Sequence, residues 1–299
     1  MTPRAAFPAL TLRAAALVAC ALLLQACGGG GSGDAGTPAT SPSTVTTVAY
    51  DRLSYGRLST FTVTGTNLAT AVSFTASGCD GLVVLAGGTV TQQVFTCTPN
   101  KALSVGVGAS VSGSAIFTGV ALPVPKPRVT LTTSAGAVVI ELEPAVVQLT
   151  VDNFLAYVNA GFYAGTIFHR VAPLSGGANF IVQGGGFTAV AGNTLTAQTG
   201  ARPAITLESN KGLSNLRGTI AMARTNQPDT ATSQFYFNVA ANTFLDYASA
   251  ASPGYAVFGQ VVSGLAVIDA MAGVATRTVG GFTNVPVTDI TVSAASQTL

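Results

Sequence analysis

Short runs of alternating apolar and polar residues recur between Val45 and Leu122: "STFTVTG" (59–65), "AVSFTA" (71–76), "QQVFTC" (92–97), "LSVGVGASV" (103–111) and "SAIFTGVAL" (114–122). Successive side chains of a strand point to opposite faces, so such runs, broken by Gly, Asn and Pro, predict a small β-sandwich domain over 45–122. "PVPKP" (123–127) sets three prolines at alternate positions; it is stiff and extended, and makes a domain boundary. Beyond it, "RVTLTTSAG" (128–136) and "AVVIELEP" (137–144) read as two strands meeting at Gly136. The period then changes. Val151, Phe154, Leu155 and Val158 fall at i, i+3, i+4 and i+7, which predicts a helix capped by Thr150 and ended at Gly161. A second short helix is predicted at "GLAVIDAMAG" (264–273). The remainder of this domain, taken as 128–293 with 294–299 as a tail, reads as strand and loop.

The N-terminus follows another pattern. Arg4 and Arg13 precede "AAALVACALLLQA" (14–26), which ends at Cys27. The run falls short of the roughly 20 residues a membrane-spanning helix needs, but it suits a cleaved signal peptide over 1–26. "LQAC" (24–27) resembles the bacterial lipoprotein cleavage box, which implies lipidation of Cys27 and attachment to the bacterial cell envelope on its periplasmic side. Gly28 after the cysteine favours the outer membrane over the inner. Residues 27–44, rich in Gly, Ser, Thr and Pro, then form a lipid-anchored flexible tether. Its reach is on the order of 20–25 Å.

The chain of 299 residues has 8% charged residues and 13 basic against 11 acidic side chains. Loss of Arg4 and Arg13 with the signal would leave 11 of each, so the mature chain would carry no net charge. No Lys/Arg cluster is present to neutralise phosphates, which excludes nucleic acid as a partner. Of four cysteines, Cys20 leaves with the signal and Cys27 takes lipid. Cys79 and Cys97 remain, an even pair in an exported chain, and are read as a disulfide. Two cysteines and one distant histidine are too few for a metal site, and no cofactor is expected.

Chemistry concentrates in "FHRVAPLSGGANFIVQGGGF" (168–187), which holds the only histidine but no carboxylate, lysine or cysteine. With "RGTIAMARTNQPDTATSQFYFNV" (217–239) and "NTFLDYASAASPGYAVFGQVVSG" (242–264), in this order and spacing, it resembles the cyclophilin family of peptidyl-prolyl cis–trans isomerases, above all its bacterial periplasmic members. The likeness covers nearly all of 128–293. It implies a mainly β protein whose C-terminal domain is a closed eight-stranded antiparallel β-barrel with two capping helices and an active site on the outer face. "TFTVTGTNL" (60–68) is in turn similar to the opening strand of bacterial immunoglobulin-like modules.

The resemblance also implies site residues. Arg170 matches the catalytic arginine, Phe180 the proline-pocket phenylalanine and Gln183 the glutamine beside that arginine. Ile181 falls where many members carry methionine. Ala223 and Arg224 match the strand that pairs with the substrate backbone, Gln234 a further glutamine of the groove, and Tyr236 a pocket aromatic that is commonly phenylalanine. Phe244 and Leu245 match the rim, where cyclosporin-sensitive relatives have tryptophan at the first position. Tyr255 takes a place often held by histidine. The sequence departs from the family between Arg170 and Phe180, where nine residues, "VAPLSGGAN", replace the usual four.

Rotation about an X–Pro bond breaks no covalent bond, so it needs neither nucleophile nor general acid. The barrier of ~18–20 kcal/mol comes from conjugation of the nitrogen lone pair with the carbonyl. Twisting localises that pair, and a donor aimed at it binds the twisted state better than either planar one. Arginine, always charged and with a rigid fan of donors, suits that role. His169 is read as structural, because on one regular strand it would point away from Arg170. "QGGGF" (183–187) lacks the ending of a phosphate loop, and no G-x-S-x-G elbow is present. The expected activity is peptidyl-prolyl isomerisation of unfolded or folding envelope proteins by a monomer. Two other readings stay open: a non-catalytic proline-peptide-binding chaperone or scaffold lipoprotein, and a chain whose N-terminal β-domain is the functional part.

Overall fold

The computed structural model describes residues 41–68, 72–119, 121–173 and 179–299, with backbone alone at Asn179 and Phe180. The signal sequence, Cys27 and the inserted residues 174–178 lie outside these. The chain divides into two compact units, one ending at Val124 and the other spanning Pro125–Leu299.

In the first unit β1 (Thr44–Tyr50), β2 (Ser59–Thr66), β3 (Val72–Ser77), β4 (Cys79–Val84), β5 (Gln92–Pro99), β6 (Ser104–Val111), β7 (Ser114–Thr118) and β8 (Leu122–Pro123) form two sheets. One has the order β1-β2-β5-β4, the other β3-β6-β7 with β8 also on β6. Alternation in β2 and β5 buries Phe61, Val63 and Phe95. Phe95 stacks on Phe61 at 4.9 Å between ring centres and meets Phe74 of the other sheet at 5.9 Å. Cys79 and Cys97 are joined in a disulfide between neighbouring strands β4 and β5. Two strands, β1 and β4, carry no legible alternation, because each lies at a sheet edge and leaves apolar side chains such as Val83 and Val84 exposed.

The Pro-rich segment is divided between the units. The Val124 N–H donates to Leu103 in the first, while Lys126 pairs with Glu143 at 2.7 Å and Pro127 accepts from the Leu142 N–H in the second.

The second unit opens with β9 (Arg128–Thr133) and β10 (Gly136–Leu142), then α1 (Gln148–Asn159). β11 (Thr166–Pro173) and β12 (Asn179–Thr188) follow, then β13 (Thr219–Met222), β14 (Phe235–Asn238) and β15 (Val257–Ser263). Last come α2 (Leu265–Ala272), the hairpin β16 (Thr276–Val279) and β17 (Phe282–Pro286), and β18 (Ile290–Gln297). Eight strands close an antiparallel barrel in the order β10-β15-β13-β14-β12-β11-β18-β9. Closure satisfies every edge.

Inward side chains build an aromatic core: Phe168 of the wall meets Phe235 and Phe237, Phe235 meets Tyr163, and α1 lays Phe154 against Phe235 and Phe258. Helix α1 starts two residues before Thr150, at a Val147 cap without a side-chain bond. Thr150 instead donates through its N–H and hydroxyl to Glu208. Gly161, at φ 69°, turns the chain out of the helix as its left-handed conformation allows. The final strand runs past 293: Ala294, Ala295, Ser296 and Gln297 pair with β9, so most of the expected tail closes the barrel. A register shift between Val292 and Ala294 interrupts the alternation that would have marked it.

Candidate active site

The site begins with an irregularity in β11. Phe168 pairs with Gly184 but Arg170 pairs with Gln183, so β11 spends one more residue than β12 at His169. This is a β-bulge, which re-aims side chains. Beyond it Val171 pairs with Val182, so Phe168 and Val171 both face the aromatic core although three residues apart. Arg170 and Ala172 are thereby turned to the outer wall with Gln183 and Ile181. The regular alternation that would set His169 opposite Arg170 does not hold. His169 is structural for another reason. It is buried against Phe187 at 4.7 Å between ring centres, with Nδ1 unpartnered among the described residues. Burial, aided by the adjacent Arg170 charge, pushes the imidazole down to about 4.

On the outer wall the polar groups form a chain. Arg170 Nη1 donates to Gln183 Oε1 at 3.2 Å, and Gln183 Nε2 donates to Gln234 Oε1 at 2.9 Å. The glycine run makes room for it. A Cβ on Gly186 would lie 2.5 Å from side-chain atoms of Gln234, and Gly185, at φ 82°, lets the strand turn over Tyr163 and Phe235.

Beside this chain lies an apolar slot. Gln183 pairs with Tyr236 across β12 and β14, and Tyr236 with Ala221 across β13. Ile181 and Tyr236 are buried in one cluster with Ala172, Ala221 and Val257, and Leu213, Ala223, Leu245 and Tyr255 pack against it. Tyr255 meets Tyr236 edge-on at 5.8 Å. A 3-10 turn, Thr243–Leu245, forms the rim, with Phe244 61% exposed. The structure thus brings together Arg170, Ile181, Ala223, Gln183, Gln234, Tyr236, Leu245 and Tyr255. Phe180 occupies β12 one residue before Ile181, and only its backbone is described.

Arg224 lies just past β13 with its side chain committed to the protein. Nε and Nη2 donate to the Gly254 carbonyl at 2.9 and 2.7 Å, and the guanidinium covers Tyr255 at 4.5 Å from the ring centre. It braces the groove wall. The Ala223 N–H is likewise used, donating to the Gln234 carbonyl.

Several contributors carried no signal in the sequence. Asn215, fully buried, accepts from the Tyr236 hydroxyl at 2.8 Å and is itself held by Asp246. Leu213 closes the slot from a loop of ordinary composition. No group of His, Cys, Asp or Glu able to hold a metal ion occurs among the described residues.

The outer wall of a closed antiparallel barrel thus carries an arginine–glutamine chain beside an apolar slot. Comparison with known proteins shows the family. The family model described as cyclophilin type peptidyl-prolyl cis-trans isomerase/CLD matches residues 128–297. The chain is 48% identical to peptidyl-prolyl cis-trans isomerase A of Dickeya dadantii over 168 residues, 56% of this chain and 83% of the relative. It is 42% identical to isomerase B of Escherichia coli over 170 residues, 56% of this chain and 98% of the relative. A solved cyclophilin type isomerase of Cryptosporidium parvum, 22% identical, covers 58% of this chain and 98% of its own at a TM-score of 0.45. The chain belongs to the cyclophilin type peptidyl-prolyl cis-trans isomerase family.

Proposed function

We propose that the outer groove of the second unit accelerates X–Pro rotation in folding envelope proteins through Arg170. The observation that carries this reading is the Arg170–Gln183–Gln234 chain beside the slot of Ile181, Tyr236 and Leu245. The proline ring enters the slot while the preceding carbonyl swings. The bond to Gln183 orients the guanidinium without exhausting its five N–H donors. One of them meets the proline nitrogen as its lone pair localises. Phe180 completes the slot, Phe244 flanks it, and the backbone at Ala223 and Arg224 lies along the substrate. Because the donor is aimed at a charge distribution found only in the twisted state, it lowers the barrier rather than only tightening binding. Each ~1.4 kcal/mol of such preference is a tenfold gain in rate.

The leader, "LQAC" and the Gly/Ser-rich tether support an enzyme lipidated at Cys27 and facing the periplasm. The test is cis–trans exchange of a short Ala-Pro peptide with residues 125–299, with and without Arg170→Ala. The proposal requires wild-type acceleration, loss of most turnover in the variant, and peptide binding in both. Binding without acceleration by the wild type would establish the non-catalytic alternative.

A further inference from the structure

Beneath the slot lies a buried polar network that proline binding alone does not require. Tyr236, at a position where phenylalanine would fill the same space, uses its hydroxyl to donate to Asn215 Oδ1 at 2.8 Å. Asn215 Oδ1 also accepts from Asn238 Nδ2 at 3.2 Å, and Asn242 Nδ2 donates to Asn238 Oδ1 at 2.8 Å. All three asparagines are fully buried. The far end is Asp246, the residue that ends the rim turn. Its Oδ1 accepts from the N–H and Nδ2 of Asn215 at 2.7 and 2.8 Å, and its Oδ2 accepts from the Ser214 hydroxyl at 2.5 Å. The Asn242 N–H, just ahead of Thr243–Leu245, donates to the Asn215 carbonyl at 2.7 Å. Asn215 therefore holds the slot floor with its amide oxygen and both ends of the rim with its other polar groups.

We infer that the Tyr236–Asn215–Asp246 relay is a positioning device that couples the floor of the proline slot to the rim turn bearing Phe244 and Leu245. The inference rests on the reading of this groove as the proline site. Satisfied buried networks over-determine geometry, and losing one member leaves a desolvated partner unpaired. Removing either end thus loosens Asn215, through which the rim is held. Asp246 acts here as an acceptor, not as a charge. Its two oxygens take three hydrogen bonds, and an asparagine can keep the two from Asn215 while its own amide faces the Ser214 hydroxyl.

Asn215→Ala would leave several buried groups unpaired and risks misfolding, so the test uses the ends. The dissociation constant of a short Ala-Pro peptide is measured for wild type, Tyr236→Phe, Asp246→Ala, the double variant and Asp246→Asn, with kcat in parallel. Tyr236→Phe and Asp246→Ala should each weaken binding about fivefold, a larger fractional change in the dissociation constant than in kcat. The double variant should also lose about fivefold rather than about twenty-fivefold, because both substitutions cut one relay. Asp246→Asn should bind within about twofold of wild type. Additive losses, wild-type binding by Asp246→Ala, or failure of Asp246→Asn to restore binding would overturn the coupling. Arg170→Ala separates this from the catalytic reading: if it keeps full turnover while the cycle is non-additive, the relay stands and the arginine mechanism falls.

Discussion

Lowering the pH from about 7.5 to about 4.5 perturbs one buried group more than any other in the barrel, the imidazole of His169. In the unfolded chain it titrates near 6.5, whereas burial against Phe187 and the charge of Arg170 hold it at about 4 in the folded state. Between those values the unfolded chain binds a proton that the folded one refuses. Stability is therefore full above about pH 6.5, falls as pH drops toward 4, and loses nothing further from this group below that. Integrating the difference gives a loss of about 1.4 kcal/mol at about pH 5.5 and about 2.5 kcal/mol at about pH 4.5. The measurement is urea unfolding of residues 125–299, followed by circular dichroism, for wild type and His169→Gln. The variant has a constant packing penalty but no titration, so the wild type should lose that much more than the variant as pH falls. Carboxylates contribute equally to both and cancel. Over the same samples kcat/KM between about pH 6 and 8 should stay flat within about twofold, because His169 is already neutral there and arginine never titrates. Superimposable pH–stability curves would refute the burial argument. A sigmoidal rate profile abolished by His169→Gln would refute the mechanism.

Arg170→Lys should recover little of the turnover lost in Arg170→Ala, since an ammonium lacks the planar fan that Gln183 orients; single-turnover exchange on an Ala-Pro peptide reads this directly. Reduction of Cys79–Cys97, or its replacement by alanines, should destabilise the first unit by about 3 kcal/mol in denaturant unfolding and leave isomerase turnover unchanged. Phe244, exposed on the rim, has no N–H to donate, so cyclosporin should inhibit weakly and Phe244→Trp should tighten it; equal affinities would remove the explanation. Cys27→Ser should release the protein from the membrane fraction or leave an uncleaved precursor, and unchanged fractionation would end the lipid assignment.

The sequence by itself was sufficient wherever physics is local. Period-two runs marked β2, β3, β5, β6 and β7, the 3.6-residue period marked α1, and the even pair of cysteines anticipated the bond between β4 and β5. The motifs "FHR", "FIVQGG", "SQFYF" and "FLD" carried the resemblance to the family whose model matches 128–297. Tertiary structure decided the rest. One residue of slip at His169 turns Arg170 onto the wall that carries Gln183 and Tyr236, and register belongs to a pair of strands rather than to either alone. Edge strands β1 and β4 and the shifted end of β18 lack alternation because they bury neither face regularly. Asn215 meets Asp246 across 31 residues and Tyr236 across 21. An asparagine in a loop has the same local signature whether it faces water or bridges a floor to a rim. Only tertiary packing, which buries Asn215 completely, gives its hydrogen bonds their weight.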